Sequence, residues 1–397
     1  MPGRIRARTV RPSASRIRRI NSGISDKTLA GDAGVIMQST GEQPASKENK
    51  DLSITPQSPQ AQADHPDLLF VSHADAVALL SVEQTMRICE DVFLMHARGS
   101  VFPPVMPSFK LDDAEFNNHW HVKSVLLKDI PVTGVRLYNY YDDGDRNTVG
   151  TLDCARFVIL TDPRTGHALA MVDEHLSYAW RSAAAAVVPC KWLGPAEPKV
   201  LGLVGVGTMC SGVLECLATL YQFDEVRVTS RRAESREAFA RKWSDKLGIT
   251  GRAVETNEEV VRGADIVVGG TTSADVMIYE EWVKPGALVI SLARQQFELS
   301  GFAKMDKVIV DDWDLNMKNH YFKKMVESGL FDRAQLHAEI AEVVSGKKLG
   351  RERAEERILV HTTGLVSQDV AIAHWLFEQA KASGRGIWLP AARENRP

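Results

Sequence analysis

One short stretch of this chain carries residues whose types and spacing could hold a phosphorylated ligand. The apolar run Val200-Leu201-Gly202-Leu203-Val204 leads into Gly205-Val206-Gly207-Thr208-Met209-Cys210. Gly205 would permit a tight turn, and Gly207 would let the backbone approach a pyrophosphate. Val213, Cys216, Leu217 and Leu220 share one face of the helix expected next, whose start offers free N–H groups and a positive dipole end. Glu225-Val226-Arg227-Val228-Thr229 then reads as a second strand. Strand, glycine turn, helix and strand together spell a dinucleotide-binding βαβ unit, with Gly205, Gly207, Thr208 and Met209 against the cofactor. The third small position is Cys210, where Gly or Ala is usual. A strand end that grips a ribose 2′-hydroxyl supplies Asp or Glu; here it supplies Ser230, Arg231 and Arg232, which would pair with a 2′-phosphate. The expected cofactor is therefore NADP(H), with NAD(H) the alternative.

The elements that must position this loop can be read on either side of it. Upstream, Val82–Ala97 reads as an amphipathic helix, 120–127, 132–141 and 155–161 as strands, and Asp162-Pro163-Arg164-Thr165-Gly166 as a hairpin turn. A helix over 174–188 would bury Leu176, Ala179, Trp180, Ala183, Ala184 and Val187, and its run Ser182 to Ala186 predicts close packing on another backbone. Arg181 stands on this small, apolar helix, where burial is costly without a partner: a bound carboxylate or an internal acid. Downstream, a helix over 235–247, a capping box at Thr256 and Glu259, and strands at 265–269, 287–292, 307–311 and 358–361 continue the unit. Residues 315–344 read as a helical, charged outer layer. Ligands on an open parallel sheet lie outside the carboxyl ends of its strands, which makes Thr271, Thr272 and Ser291 candidate cofactor contacts. The fold class expected is α/β: a central Rossmann-type doubly wound parallel sheet plus an α+β substrate/dimerisation domain.

Composition narrows the classes. The chain has 397 residues, enough for two cores, and its 48 basic against 51 acidic residues mark no nucleic-acid binder. No apolar run reaches transmembrane length, so no membrane partner is expected. Five cysteines show no C-x-x-C and no zinc spacing; they suit buried thiols in a reducing, cytoplasmic setting, and no metal site is visible. Seven arginines precede the first acidic residue, Asp26, and 27–65 is rich in Ser, Gln, Pro and Gly with no amphipathic pattern. Residues 1–65 are read as a disordered or mis-started tail, although an Arg- and Ser-rich opening also resembles a transit peptide.

The run from Leu160 through Asp162-Pro163-Arg164-Thr165-Gly166 to Asp173, leading into Trp180-Arg181-Ser182-Ala183-Ala184-Ala185, resembles the ornithine cyclodeaminase/mu-crystallin family. The likeness continues through Ala264-Asp265-Ile266-Val267-Val268, Thr271-Thr272-Ser273 and Gly364-Leu365-Val366-Ser367-Gln368-Asp369. The resemblance implies a substrate-binding and dimerisation domain over 66–190, completed by a C-terminal helix within 364–390, a Rossmann domain over 191–363, and a homodimer. It implies that Arg181 binds the carboxylate of a small amino or imino acid.

Two departures from the family pattern bear on chemistry. The family's lysine in G-x-K is here Arg136 in Gly134-Val135-Arg136, and arginine holds an anion without shuttling protons. Lys123, on the preceding strand, is the nearest substitute as general acid or substrate anchor; His119 and His121 are further acid candidates. The aspartate that cyclodeaminases carry beyond 287–292 falls at Arg294 or Gln295, with Glu298 further on, and neither Arg nor Gln serves as a carboxylate base. The expectation is hydride transfer at the C–N bond of a small imino acid, as in a ketimine or pyrroline-2-carboxylate reductase. Cyclodeamination proper, diamino-acid synthesis and non-catalytic cofactor binding are the alternatives.

Overall fold

The computed structural model describes residues 67–102, 108–111, 118–140, 154–273, 275–292 and 295–390. Strand β1 (Leu68–Val71) and helices α1 (His73–Leu79) and α2 (Val82–Ala97) come first. Strands β2 (Ser108–Leu111), β3 (Asn118–Leu127), β4 (Val132–Tyr140), β5 (Arg156–Thr161) and β6 (Ala168–Asp173) follow. Helix α3 (Ser177–Val187) and the single turn α4 (Cys190–Leu193) lead to β7 (Val200–Val204) and α5 (Thr208–Ala218). The alternation continues with β8 (Glu225–Thr229), α6 (Ala233–Leu247), β9 (Thr250–Ala253), α7 (Asn257–Val261), β10 (Ile266–Gly269), β11 (Leu288–Leu292) and β12 (Lys307–Val310). It closes with α8 (Trp313–Asn316), α9 (His320–Glu327), β13 (Ala338–Glu339), α10 (Ile340–Val344), β14 (Ile358–Thr362), α11 (Val366–Ser383) and β15 (Ile387–Leu389).

These strands make two sheets. The parallel sheet has the order β13-β12-β14-β11-β10-β7-β8-β9. The chain winds outward from β7 to β8 and β9, then returns to place β10 on the other side of β7. That reversal makes a crevice at the carboxyl ends of β7 and β10, where the glycine loop lies. The mixed sheet has the order β15-β1-β6-β5-β4-β3-β2, with β1 parallel to β6 and the other pairs antiparallel.

Register decides what the mixed sheet presents. Lys123 pairs with Arg136, Arg136 with Val158, and Tyr138 with both His121 and Arg156. Alternation therefore sets His121, Lys123, Arg136, Tyr138 and Arg156 on one face, continuous with the buried Val125, Leu127, Val132 and Leu160. Helix α11 covers this face, packing on β3, β4 and β5. It presses so close at Gly134 that a Cβ there would collide with Val370. Helix α3 packs on α5, where a Cβ on Gly212 would sit 3.1 Å from that of Ala183. The small-residue run of α3 is thus the surface on which the loop-bearing helix rests.

Residues 315–344 differ from expectation. They break into α8, α9 and α10 with β13 joining the sheet edge, and they are not simply an outer layer. Phe322, Met325 and Phe331 are buried in a cluster with Phe302, and Gly329, at φ 73°, ends α9. Edge strands β9 and β15 escaped the sequence reading because their residues show no apolar alternation that marks a half-buried strand. All five cysteines are buried and none forms a disulfide. Among the described residues no helix is long and apolar enough to cross a membrane, and no His, Cys, Asp and Glu group could hold a metal ion.

Candidate active site

The polar end of the mixed sheet gathers charge in a way the apolar end does not. Arg136 is 2% exposed and lies against Glu174, its Nε donating at 2.6 and 2.8 Å and its Nη2 standing 2.6 Å from Oε1. Arg181, 5% exposed, donates from Nε to Asp369 Oδ1 at 2.5 Å, and that oxygen is also 3.6 Å from Arg136 Nε. An internal acid therefore meets part of the burial cost of Arg181. No hydrogen bond of either Arg181 Nη is seen among the described residues, and Asp369 Oδ2 is buried without a partner. The structure thus brings together all three residues singled out for substrate chemistry: Lys123, Arg136 and Arg181.

Tyr138 is their floor. Its ring centroid lies 4.2 Å from the Arg136 guanidinium, 5.5 Å from that of Arg156 and 5.7 Å from Lys123 Nζ. His121 stacks on the same ring at 4.7 Å. Burial, reinforced by Lys123, His119 and the two strand arginines, lowers His121 to about 4, so the imidazole is neutral at pH 7. Burial, helped by the charges of Arg136 and Arg181, lowers Lys123 to about 8. A lysine titrating there can give up a proton near neutrality, which Arg136 cannot.

Asp369 reaches this cluster by a defined route. The chain leaves β14 through Thr363 and Gly364, whose N–H groups donate to Asp311 Oδ2 at 2.7 and 2.6 Å, and α11 then begins. Gly364 has φ 88°, and a Cβ on it would collide with the Arg181 guanidinium. Glycine here serves both the turn and the arginine. Glu174, Tyr138 and Arg156 were not picked out from the sequence as site residues; their signal lay in strand register, which a sequence alone does not fix.

The crevice of the parallel sheet matches the expected cofactor loop. Gly205, at φ 113°, passes so near β10 that a Cβ would lie 2.8 Å from the Gly270 carbonyl oxygen. Gly207 is the N-cap of the 11-residue α5, makes no side-chain cap, and would point a Cβ into open space. The N–H groups at the start of such a helix, those of Thr208 and Met209 among them, have no partner within it. A bare, concave helix start of this kind fits a pyrophosphate. Cys210, in the third small position, packs its Sγ against the Gly270 carbonyl at 3.6 Å. Arg231 and Arg232 are exposed beyond β8, and Arg236 donates to the Ser230 carbonyl at 3.2 Å.

Other expected contacts divide. Thr271 and Thr272 lie past the end of β10, where Gln296, fully buried, grips Thr271 N–H at 3.3 Å and its carbonyl at 3.1 Å. Ser291 is buried at the end of β11, its hydroxyl 3.1 Å from His361 Nδ1. Glu298 accepts from the Glu280 N–H at 2.6 Å and Arg294 lies outside the described residues, so no free carboxylate replaces the family aspartate here among those described. Beside the start of α11 a cavity of about 360 Å³ is walled by Val101, Val125, Leu365 and Val366 and by the His96–Ser367 hydrogen bond of 2.8 Å.

Comparison with known proteins gives this arrangement its context. An alanine dehydrogenase from Archaeoglobus fulgidus is 26% identical over 81% of this chain and 97% of its own. An N-((2S)-2-amino-2-carboxyethyl)-L-glutamate dehydrogenase from Staphylococcus aureus is 29% identical over 58% of this chain and 70% of its own. The structure of Thermococcus litoralis Δ1-pyrroline-2-carboxylate reductase with NADH and L-proline superposes with a TM-score of 0.74 at 25% identity, covering 81% of this chain and 99% of that one. The ornithine cyclodeaminase/mu-crystallin family model matches residues 68–384, which takes in both sheets except β15, the arginine cluster and the glycine crevice. The chain belongs to the ornithine cyclodeaminase/mu-crystallin family.

Proposed function

We propose that this protein is an NAD(P)H-dependent reductase of a small imino acid, working at the carbon–nitrogen bond next to a carboxylate. One observation carries the reading: among the described residues neither Nη of Arg181 has a hydrogen-bond partner, and Asp369 Oδ2, beside it, is buried without one. A carboxylate answers the first and a nitrogen-bound hydrogen the second, and an α-imino acid protonated at nitrogen supplies both. When bound at the glycine crevice, the dinucleotide supplies the hydrogen and two electrons for the imine carbon. Arg181 holds the carboxylate, Asp369 orients the nitrogen, and Lys123 gives that nitrogen its proton. Arg136, locked to Glu174, keeps the charge that depresses Lys123. The relatives named for pyrroline-2-carboxylate reduction and alanine oxidation perform chemistry of this class.

The test is consumption of NADPH and NADH with 1-pyrroline-2-carboxylate, 1-piperideine-2-carboxylate and imines formed from 2-oxo acids and ammonia. Turnover of at least one imine is expected, without ammonia release from ornithine. Ammonia from ornithine with no imine turnover would overturn the assignment. We propose NADP(H) as the preferred form because Ser230, Arg231 and Arg232 put no carboxylate at the end of β8 and two exposed guanidinium groups beyond it. We also propose a homodimer, to be checked by light scattering on the eluting protein; a relative of 25% identity is described as a dimer with bound NAD.

A further inference from the structure

The two acids of the cluster leave two of its four cations unanswered. Glu174 belongs to Arg136 at 2.6 to 2.8 Å, and Asp369 to Arg181 at 2.5 Å. Lys123 makes no ion pair with any described residue. Arg156 is the second. Its side chain is 2% exposed, yet it donates no hydrogen bond among the described residues, and its Nε is buried without a partner. Its one ion pair is the outlying 4.0 Å approach of Nη1 to a Glu174 oxygen already held by Arg136. Asp173, the adjacent carboxylate, is taken by His175 at 3.0 Å.

A guanidinium has five donors; here Nε is buried without a partner and neither Nη makes a hydrogen bond among the described residues, which is costly unless something else completes the site. Arg156 is nonetheless held firmly: its guanidinium carbon stacks 4.0 Å from the Tyr178 ring centroid and 5.5 Å from that of Tyr138. Stacking fixes the plane and leaves the N–H edge for a planar, two-oxygen partner. Tyr138 is also the floor of Lys123 and Arg136, so the idle guanidinium lies within the substrate cluster.

We propose that Arg156 receives a second carboxylate, so that the substrate of this site is an imino dicarboxylate and its product an amino dicarboxylate. The inference rests on the reductase reading above and narrows it. The bond chemistry is unchanged: the imine carbon takes hydrogen and two electrons from NAD(P)H, the nitrogen takes a proton, and the C=N bond becomes single. The second carboxylate takes no part in that step. It neutralises Arg156 and fixes the far end of the molecule.

The experiment compares pairs matched in length. With the full chain and reduced nucleotide, oxaloacetate plus ammonia is set against 2-oxobutyrate plus ammonia. In reverse, with oxidised nucleotide, L-aspartate is set against L-2-aminobutyrate and L-glutamate against L-norvaline. The expected kcat/KM favours the dicarboxylate by about a hundredfold. Arg156→Met is expected to erase that preference while leaving the monocarboxylate and nucleotide affinity within a few-fold, and Arg156→Lys to restore part of it. Equal or reversed preference in the wild type, or equal losses for both classes in Arg156→Met, would overturn the proposal. A binding arm separates this failure from failure of the parent reading. Succinate and butyrate are titrated calorimetrically into nucleotide-saturated protein. If no compound is turned over the reductase reading falls, and the titration still decides Arg156: tighter succinate binding lost in Arg156→Met supports it, and no preference for succinate overturns it.

Discussion

Lys123 is the residue whose ionisation the rest of the cluster controls. Its folded value near 8 lies well below that of a free lysine, about 10.4. If the protonated form serves the reaction, imine reduction should be flat below about pH 8 and fall about tenfold per unit above it. Lys123→Met should remove the break and lower kcat by about a hundredfold or more, measured by nucleotide absorbance across pH 6 to 10. The stability sign is opposite. Between about 8 and 10.4 the unfolded chain binds more protons at this lysine, so its presence disfavours folding at pH 7 and progressively less as pH rises through that window. Denaturant titrations should find Lys123→Met more stable than wild type at pH 7, with the gap closing by about pH 10. At Arg181, lysine would keep a charge for Asp369 but lose the paired Nη groups. Arg181→Lys is expected to fold and to lose about a hundredfold in kcat/KM, roughly 2.7 kcal/mol of transition-state binding.

At the level of elements, two close approaches and one strand end are open to test. Gly134 admits α11 onto β4, and Gly134→Val should lower the melting temperature measurably, since overpacking costs about 1–3 kcal/mol. The exposed end of β8 should set nucleotide choice: Arg231→Asp with Arg232→Ser is expected to weaken NADPH by at least tenfold and to spare NADH, read by fluorescence titration. Wild-type protein that binds NADH more tightly than NADPH would end that inference. The βαβ unit was readable because each of its parts has a local cause: a glycine turn, an apolar strand, a helix stripe. Arg181 and its small-residue helix were readable for the same reason. What was not readable depends on distance in sequence. Glu174 answers Arg136 from 38 positions away, and Asp369 answers Arg181 from 188 positions away. At Ser291 the strand end gave the residue's place but not its side chain's direction, which is toward His361. The stretch 315–344 misled because its polar residues hid the buried Phe322 and Met325, three positions apart on one short helix.

The molecule as a whole joins its two sheets at both ends of the substrate cluster. Helix α3 carries Arg181 and feeds the first strand of the parallel sheet, while β14 of that sheet feeds α11, which carries Asp369. The second junction is clamped by Asp311 on Thr363 and Gly364, and α3 is wedged on α5 where Gly212 meets Ala183. The buried Arg181–Asp369 salt bridge links the two struts. Moving one strut away from the other would break that bridge and leave two buried charges unpaired.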